Sequence, residues 1–273
     1  HEADRALAVG HLEFVPDGEI GDVTVVHPWQ IALSEGKSRA CQDYSKGINP
    51  ATRSAPFALP TPWDVRRLLK PSSFMAKRDL RDGFWACPIR REHRNRFVLR
   101  HPATGRLVRA TSLPFGWRDS PRLFCSVTEA IAGMFRRRAA GLGVAMLCFV
   151  DDFLLCGDDE AATRRGLEMF DDLLAELGMW WAPHKDRGPA QVMEFLGLLI
   201  VNLPGLRCVG LTAKRQARLR AMIDDWRGRR STRSAAPSAR SAPRRSPTTA
   251  CPRELAQLLG HLVFASQAVP GGR

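Results

Sequence analysis

The chain is predicted to adopt an α+β fold, because strand and helix patterns interleave along it without a strict βαβ repeat. Two hairpin signals carry the strand half of that reading. FVLRHPATGRLVRAT (Phe97–Thr111) is two β-prone segments about Pro102–Gly105, and Ala145–Gly157 is two apolar strands about a pair of acids. The helical half rests on Phe124, Val127, Ile131, Met134 and Phe135, spaced i, i+3, i+7, i+10 and i+11, and on the amphipathic run Glu160–Leu177.

Taken in order, residues 1–36 mix Gly and Pro punctuation with little periodicity and read as irregular, with one short strand about Asp22–Val26. The main body runs from 37 to 210. Within it Arg39–Tyr44 is a strand, Asn49–Pro62 a Pro-rich extended stretch, and Thr61–Leu69 opens on a T-P pair suited to a helix start. Phe74–Leu80 is β-prone around a lone acid, Asp79, before glycine breaks the pattern, and Phe195–Val201 is a further apolar strand. A short helix is expected over 211–226. Residues 227–249 hold seven Arg, five Ser and three Pro with no acid, the composition of a solvated linker. From 250 to 273, Leu255, Leu258, Leu259 and Leu262 restore helical spacing.

With 273 residues, 44% of them hydrophobic, the chain has enough apolar material for a real core and is not disordered. Its net charge of +13 and its 35 Arg point to a polyanionic partner. The Arg-rich linker supplies seven of those charges, and +6 remains for the rest. No apolar run approaches the roughly 18–20 residues of a membrane span, so a soluble intracellular protein of the cytoplasm or nucleus, not secreted, is expected. The seven Cys are odd in number, scattered and never spaced C-x-x-C, and read as reduced and mostly buried rather than as disulfides or a zinc site. Because the chain begins at His1 rather than Met, it reads as a piece of something longer.

Asp151 and Asp152 carry the first chemistry. Two adjacent carboxylates between apolar strands lack the Asn-Gly or Asp-Gly chemistry of a tight hairpin, and adjacent like charges destabilise a fold unless a cation neutralises them. Such a pair alone is better explained as an acidic surface turn. Asp79 changes the balance, since its strand can pair beside the hairpin and add a third carboxylate. Hard oxygen ligands select Mg²⁺ or Mn²⁺, and carboxylates on neighbouring strands suit two such ions about 3.5–4 Å apart, the apparatus of nucleotidyl transfer.

At these residues the chain resembles a reverse transcriptase domain, over Arg39 to Gly197. DLRDGFW (Asp79–Trp85) resembles the first catalytic motif of that family and LPFGWRDSP (Leu113–Pro121) its template and nucleotide motif. FVDD (Phe149–Asp152) resembles its aromatic-x-Asp-Asp box, GMWWAPHK (Gly178–Lys185) its lysine motif, and FLG (Phe195–Gly197) its primer grip. The five motifs stand in family order. The nearest flavour is that of LTR and DIRS-like retroelements, where LPFG and a segment like Glu254–Val269 occur.

The resemblance implies a right-hand polymerase with fingers and palm over 37–210 and a partial thumb after the linker. It implies RNA-directed DNA synthesis on an RNA or DNA template-primer from dNTP, with no membrane partner and an oligomeric state left open. Asp79, Asp151 and Asp152 would hold two metal ions, joined by the backbone carbonyl of Leu80. Phe84 would be the steric gate against a 2′-hydroxyl, or else a core aromatic. Arg39, four residues before Asp43, would contact the triphosphate, or else be a surface arginine. Phe115, Gly116 and Trp117 would line the nucleotide and template surface, and Lys185 would protonate pyrophosphate, or else be an exposed lysine. Phe195, Leu196 and Gly197 would grip the primer. This sequence departs from the family pattern in having no second finger cation at the matching distance, Phe149 where Tyr is common, and the Arg/Ser/Pro insertion between palm and thumb. An RNA-dependent RNA polymerase and a non-catalytic nucleic-acid-binding remnant of a mobile element are the alternative readings.

Overall fold

The computed structural model describes residues 2–34, 37–81, 83–231 and 252–268. In chain order these form α1 (Glu2–Ala8), β1 (Leu12–Phe14), β2 (Val26–His27), β3 (Trp29–Ser34), β4 (Lys37–Gln42), α2 (Ile48–Ala51), α3 (Pro62–Leu68), β5 (Phe74–Asp79), β6 (Val98–Arg100) and β7 (Leu107–Ala110). There follow α4 (Ser120–Arg138), β8 (Val144–Phe149), β9 (Asp152–Gly157), α5 (Glu160–Glu176), β10 (Arg187–Ala190), β11 (Val192–Phe195), β12 (Leu198–Leu203), β13 (Leu206–Leu211), α6 (Ala213–Ser231) and α7 (Pro252–Ala268). Short 3₁₀ segments lie at Asp17–Asp22, Gly83–Ala86, Arg91–Arg96 and Pro183–Lys185.

The central sheet is antiparallel in the order β10-β5-β9-β8. Because side chains alternate faces along a strand, its apolar residues divide between two cores. Ala76, Met146, Cys148, Phe153 and Leu155 meet Phe135 of α4 and Phe170 and Leu173 of α5. Met75, Leu147, Leu154 and Cys156 meet Val65 of α3 together with Met193, Phe195, Ile200 and Val209 of the β11-β12-β13 sheet. A sheet buried on both faces reads as continuous apolar runs rather than strict alternation. That is the look of AMLCF and FLLCG. Burial pushes the Cys148 and Cys156 thiols up to about 12, so both are inert small hydrophobes. The other described cysteines are unpaired thiols too, but Cys41, Cys87 and Cys125 are half-buried and Cys208 is exposed, fewer buried than expected.

Local chemistry explains the helix starts. Thr61 and Asp64 form a capping box at α3, with Pro62 at the first helical position. Asp159 caps α5 by accepting the Ala162 N–H at 2.7 Å. In α4 the buried positions are Ser120, Phe124, Thr128, Ile131, Ala132 and Phe135, one face of a helix, and Arg136, Arg137 and Arg138 complement the dipole at its C-terminal end.

Three expectations are corrected. Residues 1–36 are not irregular, and the expected strand at Asp22–Val26 is displaced. β1 pairs with β7, β2 runs parallel to β6, and β3 forms a hairpin with β4 across the boundary set at 36/37. Strands this short have no period to read, and β1 and β2 pair with partners distant in sequence. The helix placed at 211–226 extends over Ala213–Ser231, five residues into the Arg-rich stretch, because Arg is a good helix former and proline first appears at Pro237. Residues 232–249 of that linker, with 250, 251 and 269–273, lie outside the described residues. Phe195–Val201 is not one strand. It is broken by a two-residue turn at Leu196 and Gly197, with φ of 53° and 76°, the sign pattern of a type I′ hairpin.

The N-terminal segment is locked to the β1-β7-β6-β2 sheet by a buried guanidinium. Arg109 on β7 is 1% exposed and donates to Glu13 at 2.7 Å, to Asn95 at 2.5 Å and to Glu19, while Arg94 and Arg91 hold the second oxygens of Glu13 and Glu19. Chiefly the Arg109 hydrogen bond, then that of Arg91, lowers the Glu19 carboxyl from 4.5 to about 2. A carboxyl that titrates lower folded than unfolded contributes stability fully above its unfolded value and loses it as pH falls through the folded one. Glu19→Gln is therefore expected to lower the melting temperature at neutral pH, and thermal melts of wild type and variant should converge as pH falls from about 4.5 to about 2.

Candidate active site

The three aspartates meet where β5 ends against the β8–β9 turn. In the β5–β9 register Asp79 lies directly opposite Asp152, and beyond it the Leu80 N–H donates to the Asp151 carbonyl at 2.9 Å. Directly opposed residues in an antiparallel pair have Cβ atoms about 4.5–5.5 Å apart on the same face. Parity along the strands puts Asp79 with Met75, and Asp152 with Leu154 and Cys156, on the face of the second core. All three aspartates are half-buried. The turn itself is Val150–Asp151, so Asp152 already belongs to β9. Val150 has φ of 57° while Asp151 does not share the positive sign, as in a type II′ turn whose first residue is usually Gly. For a β-branched residue that conformation is strained.

Among the described residues no group of three His, Cys, Asp or Glu forms a complete metal cage. The donor set nevertheless fits Mg²⁺ or Mn²⁺, because such ions are held through one or two carboxylates, with waters and substrate phosphates completing an octahedron. Unscreened carboxylates also repel one another when no cation lies between them.

A strap over 178–186 is laced to the same end of β5. Arg81 N–H donates to the Trp180 carbonyl at 2.8 Å, Leu80 and Trp181 form an isolated antiparallel bridge, and Ala182 N–H donates to the Asp79 carbonyl at 2.9 Å. Lys185 closes the strap's 3₁₀ turn, three residues beyond Ala182. Arg78, on the opposite face of β5 from Asp79, is bidentate to Asp171 of α5 at 2.8 Å and lies 3.6 Å from Asp186. Burial raises the Asp186 carboxyl, while Arg78 and Trp181 oppose that rise.

A second group surrounds Phe84 in the 3₁₀ turn after β5. Its ring lies 5.1 Å from Phe115 and 5.2 Å, edge-on, from Phe124 of α4, half-buried against the first core. Phe115 is 45% exposed. Gly116 has φ of 96°, and a Cβ there would run into the Gln42 carbonyl, so this position requires glycine and binds the 113–121 loop to β4. Arg39 stands three residues before Gln42 on β4, its backbone opposite Ala32 of β3. Trp117 does not share a cluster with Phe115. Its ring packs edge-on 5.1 Å from Phe97 and its Nε1–H donates to Thr52 at 2.9 Å, facing the scaffold around β6. Asn49 escaped the sequence reading. Its side chain donates to the Gly116 carbonyl and accepts the Arg118 N–H, both at 2.9 Å, splinting the loop. Its only sequence signal is the Asn-Pro dipeptide, which reads as mere extension.

Phe195 is 1% exposed in the second core. Leu196 and Gly197 form the β11–β12 turn, the Gly197 carbonyl accepts the Thr212 N–H at 3.2 Å, and the Arg215 guanidinium lies between this turn and the Phe264 ring, 4.0 Å from that ring's centroid.

Solved structures place this arrangement in a class, an α+β polymerase fold. A foamy viral protease-reverse transcriptase in complex with RNA/DNA hybrid aligns with a TM-score of 0.69 at 20% identity, over 97% of this chain and 30% of that one. A foamy viral protease-reverse transcriptase dRH in complex with double-stranded DNA aligns with a TM-score of 0.68 at 20% identity, over 98% and 40%. The chain belongs to the reverse transcriptase (RNA-dependent DNA polymerase) family, whose pattern it matches over residues 23–200. Among curated relatives, the Gag-Pol polyprotein of koala retrovirus is 24% identical over 254 residues, 89% of this chain. That of avian reticuloendotheliosis virus is 26% identical over 210 residues, 73% of this chain. The chain spans only 13% and 18% of the length of these relatives.

Two backbone substitutions check the site's construction by denaturant unfolding. Gly116→Ala should cost about 1–3 kcal/mol, since it combines a strained φ with a backbone clash. Val150→Gly should be neutral or stabilising by up to about 1 kcal/mol, the relief of a left-handed side chain outweighing the added unfolded-state freedom.

Proposed function

We propose that the chain is an RNA-directed DNA polymerase acting on an RNA or DNA template-primer. The observation that carries this reading is Asp79 held opposite Asp152 with the Asp151 carbonyl bonded to the next residue of β5. In the reaction the primer 3′-oxygen bonds to the α-phosphorus of a deoxynucleoside triphosphate, the bond from that phosphorus to the bridging oxygen breaks, and pyrophosphate leaves. Asp79, Asp151 and Asp152, with the Leu80 carbonyl, would hold two Mg²⁺ ions, which when bound acidify the attacking hydroxyl and stabilise charge on the leaving oxygen.

The chain's own residues do the rest. Asp151 and Asp152 present negative charge where the primer hydroxyl gives up its proton. Lys185 donates a proton to the departing pyrophosphate. Arg39 contacts the triphosphate, and Phe84, stiffened between Phe115 and Phe124, blocks a 2′-hydroxyl. Gly116, seated against the Gln42 carbonyl, holds the loop that lines the nucleotide surface, with Phe115 exposed beside it, and Trp117 shapes that loop from behind. The Phe195–Gly197 turn grips the primer. Strands β5, β8, β9 and β10 form the palm, the elements before and after β5 up to β7 the fingers, and α6 and α7 a partial thumb. Nucleic-acid binding is supported by the complexes of the foamy viral neighbours with double-stranded DNA and RNA/DNA hybrid. It is also supported by exposed cations such as Arg53 and Arg96, which suit phosphate contacts that carry no sequence information. The reaction is assigned to the cytoplasm or nucleus.

Primer extension on an RNA template with Mg²⁺ tests the reading. Asp151→Asn should slow extension at least about a hundredfold and leave template-primer affinity within about threefold, because phosphate contacts dominate binding. Equal extension by that variant refutes the metal role. In a competition of deoxy- against ribonucleotides, Phe84→Val should relax sugar discrimination by about 10–200-fold, the worth of one removed steric contact. Unchanged discrimination removes Phe84 from the gate.

A further inference from the structure

We propose that Arg78 is a positioning residue for the polymerisation step, tying the 178–186 strap to the end of β5 that carries Asp79, while Asp171 of α5 braces the guanidinium from behind as a stability contact. This rests on the polymerase reading above. Position 78 faces the first core, opposite Phe153 in the register, and its side chain is only 11% exposed. An apolar residue there would stabilise the fold at least as well, since the desolvation of a buried ion pair offsets most of its attraction. What the charge adds is placement.

One branch of the guanidinium, Nε with Nη2, takes both oxygens of Asp171 on α5, each at 2.8 Å. Nη1 donates to the Lys77 carbonyl at 3.3 Å and lies 3.6 Å from Asp186 Oδ2 as an ion pair, and that same Asp186 oxygen accepts the Trp181 Nε1–H at 3.1 Å. The Trp181 ring in turn lies 5.7 Å from the guanidinium carbon. Arg78 thus fixes the side chains at two points of the strap, Trp181 and Asp186, while the Ala182 N–H on the Asp79 carbonyl fixes its backbone between them. Lys185 is the residue before Asp186, so its backbone is carried by this clamp. The sheet separates the Arg78 charge from the face that bears Asp79 and Asp152. Arg78 therefore acts through the strap rather than on substrate.

Two isosteric substitutions separate placement from simple stability. Asp186→Asn keeps the shape and an oxygen for Trp181 but releases the strap end of the clamp, whereas Asp171→Asn releases the helix end, where the bonds are shorter. The expected results are opposite in rank. In the apo protein, Asp186→Asn should speed hydrogen exchange of the 180–186 amides about tenfold and leave the β5–β9 amides unchanged. It should also slow single-turnover extension about tenfold, with the dNTP KM within about twofold. Asp171→Asn should give the larger drop in melting temperature and a rate within about twofold of wild type. In a Lys185→Ala background, Asp186→Asn should cost less than about twofold further, because both changes act on the same group. Strap exchange unchanged by Asp186→Asn, a slower enzyme with Asp171→Asn, or additive losses with Lys185→Ala each overturn the proposal. A wild-type chain that fails to extend any primer overturns the polymerase assignment instead, and the exchange measurement, made without substrate, still decides whether the clamp exists.

Discussion

The register of β5 against β9 is the constraint on which the rest depends. Shifting a strand by one residue exchanges its two faces. A slip here would send Met75 and Ala76 to the wrong cores and separate Asp79 from Asp152 at the same time. Opposed like charges oppose pairing, so the acids cannot hold this register themselves. It is held by what lies further along the same strands, Phe153 and Leu155 against Phe135 and Phe170 on one side, Leu154 and Cys156 against Val65 and Phe195 on the other. Each buried side chain of this size contributes about 1.5–3 kcal/mol, against a cross-strand repulsion of order 1 kcal/mol or less. Apolar burial therefore sets the position of the carboxylates, and the β-hairpin carries them to the sheet's end.

The parts of the fold legible in the sequence are those with a long local pattern. The β8–β9 hairpin, α4 and α5 each repeat their period over many residues, and Thr61-Pro62 with Asp64 writes the start of α3 in four residues. Short strands that pair across the chain are not legible in this way. β1 and β2, three and two residues long, gain their strand character from β7 and β6, about 100 and 70 positions away. The site divides along the same line. Asp79 and Asp151 stand out as acids among apolar strands, whereas Phe84 and Gly116 stand out only through the resemblance of their motifs to those of the family. Asn49 and Arg78 do not, because each acts on a segment far away in sequence, the 113–121 loop and the 178–186 strap.

The positive charge also resolves into two populations. Arg78, Arg91, Arg94, Arg109, Arg122, Arg136, Arg138 and Arg164 pair with carboxylates and belong to the scaffold. Those with buried side chains, Arg78 and Arg109, join elements distant in sequence, α5 to the strap and the N-terminal segment to β7. Composition cannot tell these from arginines turned to solvent, since the count is the same in either role. The surface field that a polyanion would meet is accordingly smaller than the number of arginines suggests, and comes from exposed residues such as Arg53 and Arg96.

Local rules are broken where the aspartates lie. Val150 takes a conformation that suits glycine, Asp79 faces a like charge, and Arg78 places a cation on a core face. Each departure is unfavourable taken alone, by roughly 1–3 kcal/mol for the strained turn. None is explained by the stability of the element that contains it. All three lie within a residue of an aspartate at the junction of β5 and the β8–β9 turn, while the strands behind them pair in unbroken register. Natural sequences concentrate such inconsistencies at functional sites and compensate for them elsewhere. Here the compensation is the pair of apolar cores, whose rigidity is what allows a strained turn and opposed charges to persist in one geometry.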